Sequence, residues 1–217
     1  MTNFLQSQSY LIGIAGGSGS GKTTFIKKLQ SFFAEEEIAV ISQDNYYKKL
    51  EEQYVDPLGI VNFDLPSSLD LESYTEDIAK LITGVTITRP EYTFNNEAKS
   101  PELVVTKPAP IVIAEGLFVF CNKKLQDMYD LKIMIDATDD KKIIRRIKRD
   151  RIERNYPLED VLYRYEHHVV PSYKLHIEPF KAVVDIVINN NNNFDVGLKI
   201  LKGFLESKIK ERRLPTL

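Results

Sequence analysis

At 217 residues, 43% of them hydrophobic and 28% charged, the chain suits one compact α/β domain with a sizeable core. A net charge of −2 gives no ground for expecting nucleic acid or an anionic membrane as partner, and no apolar run approaches the ~18 residues that span a bilayer. A single cysteine, Cys121, excludes an intramolecular disulfide and multi-cysteine zinc sites, and no leader-like apolar stretch opens the chain, so a cytoplasmic location is expected.

Residues 9–15 form a short apolar run that predicts a buried strand. Directly after it, Gly16, Gly17, Ser18, Gly19, Ser20, Gly21, Lys22 and Thr23 complete a G-x-x-x-x-G-K-[ST] phosphate-binding loop, with Thr24 next. Glycines let successive backbone N–H groups turn inward around phosphate oxygens. Lys22 then reaches the terminal phosphates, and the Thr23 hydroxyl can ligate Mg²⁺. Helical spacing follows over residues 23–33, so the positive helix end points at the anion. The sequence therefore predicts nucleoside triphosphate binding.

Further along, 38–42 reads as a second strand, and 44–68 as a long functional loop. Residues 71–82 are helical, with Asp70 as N-cap. Two β-rich runs, 85–88 and 103–106, suggest a hairpin appended to the main sheet, within an acceptor-binding insertion spanning about 85–106. Strands are expected at 110–114, 131–135 and 183–188, and helices at 139–154, 158–168 and 194–210. Five asparagines at 189–193 read as a turn. Alternating strands and helices imply a mostly parallel sheet covered on both faces, in a single domain.

A phosphate loop alone does not separate a GTPase switch, a motor and a small-molecule kinase. A GTPase needs a base-reading Asn-Lys-x-Asp, and Asn122-Lys123-Lys124-Leu125 lacks the acid. Asp56-Pro57-Leu58-Gly59 spells D-x-x-G but lies in a polar loop. Phosphoryl transfer to a hydroxyl needs a base, a metal-holding carboxylate and cations for the transferring charge. Asp44 and Glu115 both end predicted strands on the ligand-binding edge, so Asp44 is the expected base and both are candidate metal-shell acids with Thr23. The basic helix supplies Arg145, Arg146 and Arg149, with Ile143, Ile144 and Ile147 as its apolar stripe; it reads as a lid, about 139–156, closing over ATP phosphates. Interleaved acids, among them Asp139, Asp140 and Asp150, argue against nucleic acid. His167, His168 and His176 have no metal-site spacing and are expected to be structural. Tyr46 and Tyr47 either shape the acceptor pocket or pack the loop.

The chain resembles the uridine (uridine–cytidine) kinases over nearly its whole length. The resemblance rests on the phosphate loop, Asp44-Asn45-Tyr46-Tyr47-Lys48, Asn62-Phe63-Asp64 with Pro66, Tyr92-x-Phe94, Glu115-Gly116, and Arg145-Arg146-x-x-Arg149-Asp150 with Glu153-Arg154. It implies a kinase that uses ATP or GTP with Mg²⁺ to make a nucleoside 5′-monophosphate, and a homotetramer. Asp44 is then the base on the 5′-hydroxyl, Asp64 holds the ribose hydroxyls, and Tyr92, Phe94, Glu97, Arg154 and Arg164 belong to the acceptor site. Four positions depart from the family pattern: Leu65, Glu97 and Lys99 where it has His, His and Arg, and Arg164 where it has Gln. These departures imply a shifted acceptor preference, with Glu97 and Arg164 either paired to each other or reading a different ring. The alternatives are a related kinase for another riboside or sugar phosphate, and a nucleotide-dependent switch without an acceptor.

Overall fold

The computed structural model describes residues 9–93, 100–152 and 154–213. In chain order the elements are β1 (Tyr10–Ala15), α1 (Lys22–Gln30), β2 (Ile38–Ser42), β3 (Tyr54–Val55), β4 (Val61–Asn62), α2 (Leu71–Ile82), β5 (Ile87–Pro90), β6 (Leu103–Thr106), β7 (Ile111–Gly116), α3 (Lys123–Gln126), β8 (Leu131–Asp136), α4 (Asp139–Ile152), α5 (Leu158–Arg164), α6 (Val170–His176), β9 (Ile186–Asn189) and α7 (Asp195–Arg213). Five strands form one parallel sheet in the order β2-β7-β1-β8-β9.

Side chains alternate across the sheet, as a strand's period of two requires. On β1, Leu11 and Ala15 join a core with Tyr74, Ile78 and Leu81 of α2, while Ile12 and Ile14 join Phe25 and Leu29 of α1 and Leu198, Leu201 and Leu205 of α7. Both faces are covered, which is why β1 and β7 read as unbroken apolar runs. Asp70 caps α2 as expected, its carboxylate accepting from Ser73 N at 3.0 Å.

Residues 85–88 and 103–106 lead, as expected, to an antiparallel pair, β5–β6, which forms a two-stranded sheet of its own beside the main one. Three other expectations need correction. The last strand starts at Ile186, because a 3-10 turn over Glu178–Ala182 and the bonds from Val183 N and Val184 N to Phe180 O (both 3.0 Å) hold the chain before it in a turn. The helix expected over 158–168 becomes α5, a π turn at Tyr165–Val169, and α6. On α4 the isoleucines are not the buried stripe: Ile144 is exposed, while Lys142, Arg146 and Asp150, at i, i+4 and i+8, are buried. The charged face therefore packs inward.

Candidate active site

The register of the sheet assembles the site. Ser42 of β2 and Ile14 of β1 both stand beside Glu115 of β7, so three strand ends deliver Asp44, Glu115 and the phosphate loop to one carboxyl edge. Between β1 and α1, Gly19 and Gly21 take φ of 80° and 91°. A Cβ at Gly19 would stand 2.3 Å from Lys142 O, and one at Gly21 2.2 Å from Asn190 Nδ2, so both glycines are required by conformation and by space. Gly21 sits directly before α1 and leaves that helix N-terminus facing the loop.

Beneath the loop, Lys22 Nζ is in close contact with Glu115 Oε2, and Glu115 Oε1 accepts from Ser42 Oγ at 2.5 Å. Burial alone would depress the Lys22 ammonium, but Glu115 and Asp44 reverse this and hold its pKa above the ordinary lysine value. The Asp44 carboxyl is pushed up, first by burial and then by the Glu115 charge, with Lys22, Arg154 and Arg149 pulling the other way. Thr23, Asp44 and Glu115 offer the hard oxygen donors that Mg²⁺ prefers. Mg²⁺ takes one or two carboxylates together with phosphate and water, a set to which these side chains can contribute. These residues fit a magnesium-bound triphosphate.

Asp150 gathers two arginines of α4 and one just beyond it. It is 3% exposed and pairs with Arg146 (3.2 Å), Arg149 (2.8 Å) and Arg154 (3.4 Å). Arg146 Nη1 donates to Ser18 Oγ at 2.9 Å and lies 3.8 Å from Asp64. Burial and the neighbouring Arg149 charge pull the Arg154 pKa down. Arg145 turns to the back of the loop, donating to Asn190 O at 2.8 Å. Asn190 closes this arrangement: its Nδ2 donates to Ser20 O at 2.8 Å and its backbone N–H to Asp136 O at 2.7 Å.

The phosphate loop, Asp44, Asp64 and the arginines around Asp150 open on one cavity of about 390 Å³, the size of a small-molecule site. One end holds Gly16, Gly17, Ser18, Gly19, Gly21, Lys22, Thr23 and Thr24. The other holds Tyr47, Phe63, Asp64, Tyr92, Arg154 and Arg164, with Asp44, Arg145, Arg146 and Arg149 also in the lining. Tyr47 packs edge-on to Phe63 (6.0 Å) and tilted against Tyr92 (5.0 Å), making an aromatic wall. Tyr46 faces the core, donating to Asp77 at 3.0 Å, so Tyr47 alone of the pair lines the cavity. Arg164 Nη1 donates to Val61 O at 2.6 Å and has no ion pair among the described residues. Phe94, Glu97, Lys99 and Glu153 lie outside the described residues.

Of the expected site residues that are described, Glu115 and Ser20 are absent from the cavity lining; Ser20 is fully buried. Sequence reasoning missed Asn190, Asp150 as organiser, and Ser42. For Asn190 a signal existed: like Asp44 and Glu115, it follows a strand at the carboxyl edge. For Asp150 the signal was its i,i+4 spacing to Arg146 and Arg154.

A parallel sheet of this order, a glycine-rich loop entering a helix, and acids at neighbouring strand ends define a P-loop kinase. Solved structures share the fold: a phosphoribulokinase from Rhodobacter spheroides (TM-score 0.60, 18% identity, 85% of this chain and 71% of that one) and a possible uridine kinase from Bacillus stearothermophilus (TM-score 0.58, 18% identity, 82% and 88%). The Phosphoribulokinase / Uridine kinase family pattern matches residues 11–197. Uridine kinases from Borrelia duttonii (37% identity, 93% of this chain and 96% of that one) and Streptococcus gordonii (34%, 96% and 100%) are similar over almost their full length. The chain belongs to the phosphoribulokinase/uridine kinase family. It is an ATP-dependent kinase that transfers phosphate to a hydroxyl acceptor. No described helix is long and apolar enough to cross a membrane.

Proposed function

We propose that the chain phosphorylates the 5′-hydroxyl of uridine or cytidine, with ATP or GTP as donor and Mg²⁺, to give the nucleoside monophosphate. The observation that carries this is the continuity of the cavity, from phosphate loop past Asp44 to an aromatic wall with Asp64 beside it. An aromatic wall suits a flat heterocycle, and a carboxylate suits two ribose hydroxyls. The charge supports a neutral acceptor. Counting Glu115, the described site holds six cations (Lys22 and Arg145, Arg146, Arg149, Arg154 and Arg164) and four carboxylates, the others being Asp44, Asp64 and Asp150. That excess of two is about what a magnesium-bound triphosphate neutralises, leaving none for an acidic acceptor.

In this reading Asp44, in the cavity lining between the phosphate loop and the aromatic wall, takes the proton of the attacking hydroxyl. Loop amides and Lys22 hold the phosphates, while Arg146 and Arg149, fixed by Asp150, steady the charge of the transferring group. When bound, Mg²⁺ at Thr23, Asp44 and Glu115 supplies charge neutralisation at the phosphate oxygens. Arg164, a donor-only cation at the acceptor end, favours a ring edge rich in carbonyl oxygens, which is the physical basis for a shifted acceptor preference. Homotetramer formation, implied by the family resemblance, belongs to the same proposal. The test is acceptor-dependent ADP release across uridine, cytidine, purine nucleosides and sugar phosphates. Turnover with a sugar phosphate and none with a nucleoside refutes the proposal, as does ATP hydrolysis indifferent to any acceptor.

A further inference from the structure

The β3–β4 turn holds a carboxylate that phosphate transfer does not use. Asp56 sits in the turn joining β3 to β4, its side chain 7% exposed. Its two oxygens have separate tasks. Oδ1 closes the turn, accepting from Leu58 N and Ile60 N, both at 2.9 Å. Oδ2 reaches across the chain and accepts from Tyr163 Oη and His168 Nε2, both at 2.8 Å. Because a carboxylate only accepts, Nε2 carries the His168 proton. Burial opposes ionisation of Asp56, but these hydrogen bonds outweigh it and hold its carboxyl below the usual range.

The π turn makes the double contact feasible. In a regular helix, side chains five residues apart point about 140° away from each other. An i→i+5 turn over Tyr165–Val169 narrows that divergence; the Tyr163 and His168 rings meet edge-on with centroids 5.7 Å apart, and both reach one oxygen. A third bond, Arg164 Nη1 to Val61 O, ties the same two elements. What they carry is the acceptor end: β4 runs directly into Phe63 and Asp64, and α5 bears Val161 and Arg164.

We infer that this Asp56 clasp fixes the gap between the β3–β4 hairpin and α5, and that Asp56, Tyr163 and His168 are positioning residues for acceptor binding. The inference rests on the nucleoside kinase reading for its kinetic consequence. The turn itself needs only Oδ1, so the Oδ2 contacts serve the spacing between the two elements.

The test uses the full chain with Tyr163→Phe, His168→Leu and the conservative His168→Gln, whose amide can still donate. Expected are an acceptor KM raised about fivefold or more in the first two, with the triphosphate KM within about twofold and kcat changing less than the acceptor KM. His168→Gln restores most of the loss. Amide exchange over residues 54–64 should quicken in Tyr163→Phe and His168→Leu while residues 16–23 keep their rate. An unchanged acceptor KM, or equal rises in both KM values, overturns the clasp. If the wild type phosphorylates no riboside, the kinase reading falls separately. The clasp is then judged on exchange alone, and unchanged rates over 54–64 overturn it.

Discussion

Asn190 joins the phosphate loop to the sheet, and removing its side chain isolates that one bond. The residue is 6% exposed, and its Nδ2 donates to the carbonyl of Ser20, a fully buried residue. In Asn190→Ala the backbone bonds to Asp136 O and from Arg145 remain, but the Ser20 carbonyl loses this donor. Leaving a buried acceptor short costs about 1–3 kcal/mol. Part of that appears as lost stability, at about 2–4 °C of Tm per kcal/mol for a chain this size. The rest appears as weaker triphosphate binding, up to about a hundredfold if the whole cost falls there. Asn190→Asp should bind triphosphate more weakly still, because it sets a carboxylate against the Ser20 carbonyl beside the anion site. Thermal melts and titration with a non-hydrolysable triphosphate analogue measure both shares. If Asn190→Ala melts within about 1 °C of wild type and binds within about twofold, the tie carries no weight and the reasoning fails.

Three further outcomes test the chemistry. Asp44→Asn should lower turnover by about 10²–10⁴ while triphosphate affinity stays near wild type; loss of less than about tenfold would remove Asp44 as base. Asp44 must be ionised to act, so activity falls as pH drops through its raised pKa. Glu115→Gln removes a charge that raises this pKa and frees Lys22 to lower it, so the acidic limb of log kcat/KM for the acceptor should move to lower pH; an unmoved midpoint on the residual activity would count against the coupling. Gly19→Ala forces a side chain into φ of 80° against Lys142 O, and should cost about 1–3 kcal/mol of stability or the equivalent in triphosphate affinity, read by melting and titration.

The phosphate loop was legible because its chemistry is local: glycines, lysine and hydroxyl at fixed spacing, between a strand and a helix. Asp44 and Glu115 were legible for a related reason, since an acid at the end of an apolar strand marks the carboxyl edge of a parallel sheet. The sequence pattern misplaced α4, whose isoleucines suggested its buried face. Hydrophobicity favours that choice for an isolated helix. Packed against the loop, the helix instead buries Lys142, Arg146 and Asp150, whose charges are satisfied by Asp139, Ser18 and one another.

By itself, then, the sequence determined a triphosphate site on a parallel α/β sheet and the acids beside it, because periodicity and motif spacing are written into neighbouring residues. Only the tertiary structure decided what joins those parts. The pairings of Asn190 with Ser20, Arg146 with Ser18, and Asp56 with Tyr163 and His168 span 170, 128, 107 and 112 residues. Contacts at such separations depend on how the sheet orders its strands and on a π turn that no local spacing announces. They exist only once the chain has closed around its core.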